Sequence, residues 1–98
     1  MDLMAITGFD WDEGNARKNE KHGVSMAEAE QTFFNKPLLV LEDSKHSIKE
    51  ARFHALGVSD GERRLHITFT LRHAGGKIRV ISARDMHKKE REIYEKRT

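Results

Sequence analysis

The chain has no cysteine. That removes disulfides and thiolate metal sites together, and a cytosolic protein is the plain expectation. No stretch approaches the roughly 20 consecutive apolar residues that a membrane helix requires, and no signal-peptide pattern is visible at the N-terminus. No membrane association is expected. The six histidines, at 22, 46, 54, 66, 73 and 87, show no HExxH or comparable ligand spacing. No paired-aspartate motif suggests a two-metal nuclease. P-loop and dinucleotide fingerprints are also missing, so neither a metal nor a cofactor is expected. Repeats, linkers and low-complexity segments are absent, and the 98 residues read as a single domain over 1–98.

What is present is charge. Charged residues make up 35% of the chain against 37% hydrophobic ones, which gives a lean core under a heavily ionised surface. The net charge of +2 conceals a division: residues 1–62 hold 7 Lys/Arg against 12 Asp/Glu, and residues 63–98 hold 11 against 4. A field of this shape favours an anionic partner, nucleic acid first among them, although basic residues that merely solvate a late strand and helix would look the same.

Hydrophobic periodicity supplies the elements. Ile6 to Trp11 suits a short first strand, and Asp12 offers an N-cap for a nearly all-polar helix that Gly23 stops. Such a helix must rest on a narrow seam of Ala16 with the aliphatic stems of Asn19 and the neighbours of Glu20, or pack weakly and present side chains. Ser25 and Glu28 form a capping box that opens a second helix, with Met26, Ala29, Phe33, Ala27 and Phe34 as its apolar stripe. Asn35-Lys36-Pro37 ends it, because the residue before proline resists the helical region. Phe33 and Phe34 are expected in the core rather than as a base-stacking platform. Leu38 to Leu41 suits a buried strand, Glu42 to Lys49 a polar loop, and Ala51 to Val58 another strand. A Ser59–Glu62 turn leads to Arg63–Leu71, where Leu65, Ile67, Phe69 and Leu71 alternate with His66, Thr68, Thr70 and Arg72. His73–Gly76 turns the chain into Lys77–Arg84, a strand, and the charged run from Asp85 onward suits a helix. The expected architecture is α+β: an antiparallel sheet with two N-terminal helices and one C-terminal helix.

Several groups carry possible chemistry. His22, beside Lys21, can titrate near neutrality, or can simply be a cation favoured at a helix C-terminus. Glu50 and Arg52 share a strand face, as a surface ion pair or as a carboxylate orienting a phosphate-binding guanidinium. Arg79 and Arg84 fall on opposite faces if their strand is regular, and Arg84, at the strand end, is favoured for a site. Met86, Ile93 and Tyr94 should dock the last helix, with the Tyr94 phenol either at a site rim or packed and hydrogen-bonded. Arg72, Arg79 and Lys88 add basic side chains for substrate. A metal-free ribonuclease needs a base for the 2′-hydroxyl, an acid for the leaving 5′-oxygen and cations for the phosphorane, and this inventory is present. A non-catalytic module that binds nucleic acid or protein would use the same residues.

The spacing of Phe9-x-Trp11-Asp12, Asn19-x-Lys21-His22-Gly23-Val24-Ser25, Glu28-Ala29, Phe33-Phe34 and Pro37-Leu38 resembles the BrnT family of toxins. His46-Ser47, Glu50-x-Arg52, Gly57, Arg79-x-Ile81-Ser82-Ala83-Arg84, Glu90-Arg91 and Tyr94 continue that pattern in the same order. The resemblance implies a RelE-like fold and an endoribonuclease toxin of a type II toxin–antitoxin module acting on RNA. It also implies a BrnA-type ribbon-helix-helix antitoxin in a heterotetramer, which represses its own promoter, so that DNA is contacted only through the antitoxin. The family's polar motif positions fall on Lys21, His22, Glu50, Arg52, Arg79, Arg84 and Tyr94. Met26 departs from the family's usual aromatic, a conservative core change.

Overall fold

In the computed structural model the described residues are 5–46 and 49–98; Ser47, part of one motif above, lies outside them. The order is β1 (Gly8–Phe9), α1 (Glu13–Glu20), α2 (Met26–Phe34), β2 (Leu39–Asp43), a 3-10 turn (Ser44–His46), β3 (Arg52–Val58), β4 (Arg64–Arg72), β5 (Lys77–Asp85) and α3 (Lys88–Arg97). One sheet runs β1-β5-β4-β3-β2. It is mixed rather than antiparallel, because β1 pairs with β5 in parallel while the other pairs are antiparallel. The helix order also differs from the expected one: α1 and α2 do not precede the sheet but form the connection from β1 to β2.

Local chemistry explains where the helices begin. Asp12 accepts the Asn15 backbone N–H while the Asn15 side chain receives the Asp12 N–H, and Ser25 and Glu28 do the same for α2. Gly23, at φ +69°, supplies the left-handed residue that lets the chain turn between them. α1 does not rest on an Ala16 seam. It docks through two buried asparagines: Asn15 Nδ2 donates to the Val80 carbonyl at 3.0 Å, and Asn19 Oδ1 accepts the Ala83 N–H at 2.9 Å. β1 is only two residues long, and these amides cover the β5 edge that it leaves behind.

One sheet face packs on α2. Leu65, Ile67, Phe69, Val80 and Ala83 are fully enclosed there with Ala29 and Phe33, and each large apolar side chain so buried contributes about 1.5–3 kcal/mol. Gly57 sets the approach, since a Cβ on it would come within 2.8 Å of Thr32 Cγ2. The α2 stripe is therefore Ala29, Thr32 and Phe33. Met26 and Phe34 stand largely exposed, and the Phe34 ring meets the Phe9 ring edge-on with centroids 6.1 Å apart. β2 is an edge strand with half-buried leucines rather than a buried one.

The other face is covered at one end only. Met86 and Tyr94 pack on Leu56, with Leu39 and Val58 alongside, whereas Ile93 is partly exposed. β5 runs on through Asp85, so α3 begins at Lys88, three residues later than the start of the charged run.

Candidate active site

The uncovered part of that face forms a depression of about 500 Å³ lined by Leu41, His54, Leu56, His66, Thr68, Ser82, Arg84, Glu90 and Ile93. Strand register builds it. Phe69 pairs with Val80 while Thr68 pairs with Ser82, which leaves Ile81 as an extra residue in β5. That bulge reverses the alternation of β5. Arg79, opposite Thr70, and Arg84, opposite His66, therefore lie on one face, since Thr70 and His66 are four residues apart on β4. The expectation of opposite faces fails for this reason. Arg52 and His54 of β3, opposite Thr70 and Thr68, and Arg72 of β4 join the same face.

Arg84 sits at the centre. Its Nη1 donates to Glu90 Oε1 at 2.7 Å and to the Asp85 carbonyl at 3.1 Å, and its Nη2 donates to Glu90 Oε2 at 2.9 Å. Glu90, in the first turn of α3, also takes the His87 N–H at 2.8 Å. Burial by itself would raise the Glu90 carboxyl, but the Arg84 fork, the His87 N–H and His66 together bring it down to about 2. His66 lies 3.5 Å from the same carboxylate through Nε2, and its Nδ1 is enclosed with no partner among the described residues. Desolvation lowers this imidazole to about 4 despite Glu90, so His66 is neutral at pH 7.

A second cluster adjoins the first. The His54 and His66 rings lie 4.9 Å apart. Asp43 Oδ2 receives His54 Nε2 and His46 Nδ1, each at 2.9 Å, and His54 Nδ1 lies 3.0 Å from Thr68 Oγ1. Burial acts to raise the Asp43 carboxyl, yet bonds from His46 and His54 leave it below the usual range.

The other candidates are distributed unevenly. Arg72 forms an ion pair with Glu50, and Arg79 is held by Asp12 at 2.9 Å and Asp10 at 3.5 Å. The acidic N-terminal part of the chain thus supplies counter-ions to the basic C-terminal part, and much of the charge division closes into pairs. Lys21 and His22 are exposed beyond the end of α1, off the β5 edge. Arg63 fastens their turn: it donates to the Gly23 and His22 carbonyls and to Asp85, the neighbour of Arg84. Lys88 is exposed on α3. Tyr94 is buried, donates its hydroxyl to the Pro37 carbonyl at 2.6 Å, and has its phenol raised by desolvation.

Sequence reasoning singled out neither His54, His66, Thr68 and Asp43 nor Glu90 as a site. The one available signal was the alternation of β4, which already set His66 and Thr68 on its polar face.

Comparison with known families adds one match. A family model described as "Ribonuclease toxin, BrnT, of type II toxin-antitoxin system" covers residues 11–90. No curated protein matches the chain.

Proposed function

Because the chain belongs to the BrnT family of ribonuclease toxins of type II toxin–antitoxin systems, we propose that its open sheet face binds RNA and cleaves it without a metal. The observation that carries this reading is the state of Arg84. A guanidinium has five N–H donors, and Glu90 and the Asp85 carbonyl take three of them. Among the described residues, Nε–H and the second Nη2–H are left, a parallel fork on one edge of the group that matches two phosphate oxygens. Glu90 thereby fixes the plane of the guanidinium and leaves its binding edge open. Arg52 and Arg79, on the same face, extend the phosphate track, with Arg72 and Lys88 adding attraction and Glu50 steadying Arg72 at the rim.

Lys21 and His22, exposed beyond the end of α1, are assigned to proton donation at the leaving 5′-oxygen. Tyr94 acts as a fastener, its hydroxyl being committed to Pro37. The reading without a metal rests on the donor set, because among the described residues no three His, Asp or Glu side chains are grouped to hold an ion. No described helix is long and apolar enough to cross a membrane. We assign the toxin to the cytoplasm, with a BrnA-type ribbon-helix-helix antitoxin as its neutralising partner in a heterotetramer that represses its own promoter.

The experiment is RNA cleavage by the purified protein in EDTA, wild type against Arg84→Ala and Arg84→Lys. Loss of the fork should lower the rate by about 10²–10³-fold, with lysine rescuing little because it is a point charge. RNA binding that falls steeply with salt and yields no products would make this a binding module instead.

A further inference from the structure

The Asp43, His54 and Thr68 side chains stand in the order carboxylate, imidazole, hydroxyl, with contacts of 2.9 and 3.0 Å. They lie on the uncovered sheet face beside Arg84, and cleavage needs a base for the 2′-hydroxyl that the Arg84 fork cannot supply. We propose that Asp43, His54 and Thr68 form the proton relay that activates the 2′-hydroxyl of bound RNA. This inference rests on the ribonuclease reading above.

The protonation pattern follows from what each group can do. Asp43, an ionised carboxylate, only accepts, so the His54 Nε2 that it contacts carries the proton. In the neutral ring Nδ1 is then the acceptor, and the Thr68 hydroxyl donates to it. Among the described residues Thr68 Oγ1 keeps its lone pairs for an incoming hydroxyl, and Thr68, His54 and Arg84 all line the depression. In the reaction the 2′-hydroxyl proton passes to Thr68 Oγ1 as the Thr68 proton passes to His54 Nδ1. The 2′-oxygen–phosphorus bond forms and the phosphorus–5′-oxygen bond breaks. The 5′-oxygen leaves with a proton from the Lys21 ammonium, giving a 2′,3′-cyclic phosphate and a 5′-hydroxyl. Asp43 stabilises the imidazolium so formed.

The charged and titratable surroundings of His54 suit this role. Asp43 on β2 and His46 on the 3-10 turn face one side of the ring, and Arg52 precedes it by two residues on β3. Across the sheet stand His66 on β4, Arg84 on β5 and Glu90 on α3. His66, neutral at pH 7, adds no repulsion to the new imidazolium, and Glu90 offsets Arg84.

Thr68→Val keeps shape and removes the hydroxyl, whereas Thr68→Ser keeps the hydroxyl. Single-turnover cleavage and RNA affinity are measured across pH 5–9 for both. The expected result is a 10²-fold or larger loss of rate in Thr68→Val at unchanged affinity, loss of the acid limb of its pH profile, and recovery to within tenfold in Thr68→Ser. Undiminished cleavage by Thr68→Val with the wild-type pH profile overturns the relay, and so does equal loss in both variants. A wild type that binds RNA and does not cut it overturns the ribonuclease reading instead, which separates the two failures. Nitrogen-15 NMR of the wild-type protein adds a check that needs no variant. A neutral His54 protonated at Nε2 supports the relay, and one protonated at Nδ1 overturns it.

Discussion

Acidification from pH 7 to 4.5 should destabilise this fold chiefly through one buried ring. His66 is about nine-tenths enclosed among Leu56, Arg84 and Glu90, and its folded value lies near 4 against the ordinary 6.5. The unfolded chain therefore takes up a proton at this histidine about two and a half pH units before the folded one does. The sign follows: stability is fully present above about pH 6.5, declines as pH falls, and stops declining near pH 4 once the folded ring protonates too. By pH 4.5 the loss is about 2–3 kcal/mol, a large part of the 5–15 kcal/mol typical of a domain. Urea midpoints measured at half-unit intervals would show it as a shift on the order of 1–2 M. His66→Leu removes the titrating group together with its enclosed Nδ1, so the variant should lose distinctly less stability over the same window. Glu90 adds little above pH 4.5, because its unfolded carboxyl protonates only around its ordinary value of 4.5 while the folded one stays ionised until about pH 2. If wild type and His66→Leu decline in parallel, the buried, neutral ring is not the cause and the reasoning fails.

Other residues give sharper tests of the packing. Asn19→Ala leaves the Ala83 N–H unpaired against α1 and should cost about 1–3 kcal/mol in chemical denaturation, with Asn15→Ala similar through Val80. Gly57→Ala would drive a methyl into Thr32 and Leu38, so a melting temperature lower by several degrees is expected, in line with about 1–3 kcal/mol of overpacking. Tyr94→Phe should lose about 0.5–1.5 kcal/mol of stability through the Pro37 bond and retain RNA cleavage; a loss of cleavage without a loss of stability would return this phenol to the site. Below pH 4.5 the Arg84–Glu90 pair should contribute a second decline in stability, complete only near pH 2, that Glu90→Gln abolishes.

Much of this architecture is legible from local chemistry. The Asp12 and Ser25 caps, the Gly23 stop and the β3-β4-β5 meander follow from residue type and period, because each depends on neighbours a few positions away. The parallel β1 is too short to carry a pattern, and its partner lies far along the chain. The docking of α1 was hidden for a different reason. Polar residues normally face water, and nothing local reveals that Asn15 and Asn19 satisfy a sheet edge instead. The site suffered most. A bulge at Ile81 gives no signal in a period of two, yet it alone sets Arg79 and Arg84 on one face. The pairing of His54 with Asp43 and Thr68 depends on cross-strand register, which motif spacing does not encode. Arg84 stood out from sequence because a strand end is a place a ligand can reach, while its partner Glu90 entered only as one of the motif positions of the resemblance, with no role attached.

The central claim is that an arginine fork on an open sheet face cuts RNA without a metal. Its most direct test is mass analysis of the products formed from RNA by the purified wild-type protein in EDTA, beside folded Arg84→Ala. Fragments ending in 2′,3′-cyclic phosphate and 5′-hydroxyl are expected from the wild type and essentially none from the variant. Intact RNA with the wild type, or the same fragments at the same rate from Arg84→Ala, would contradict it.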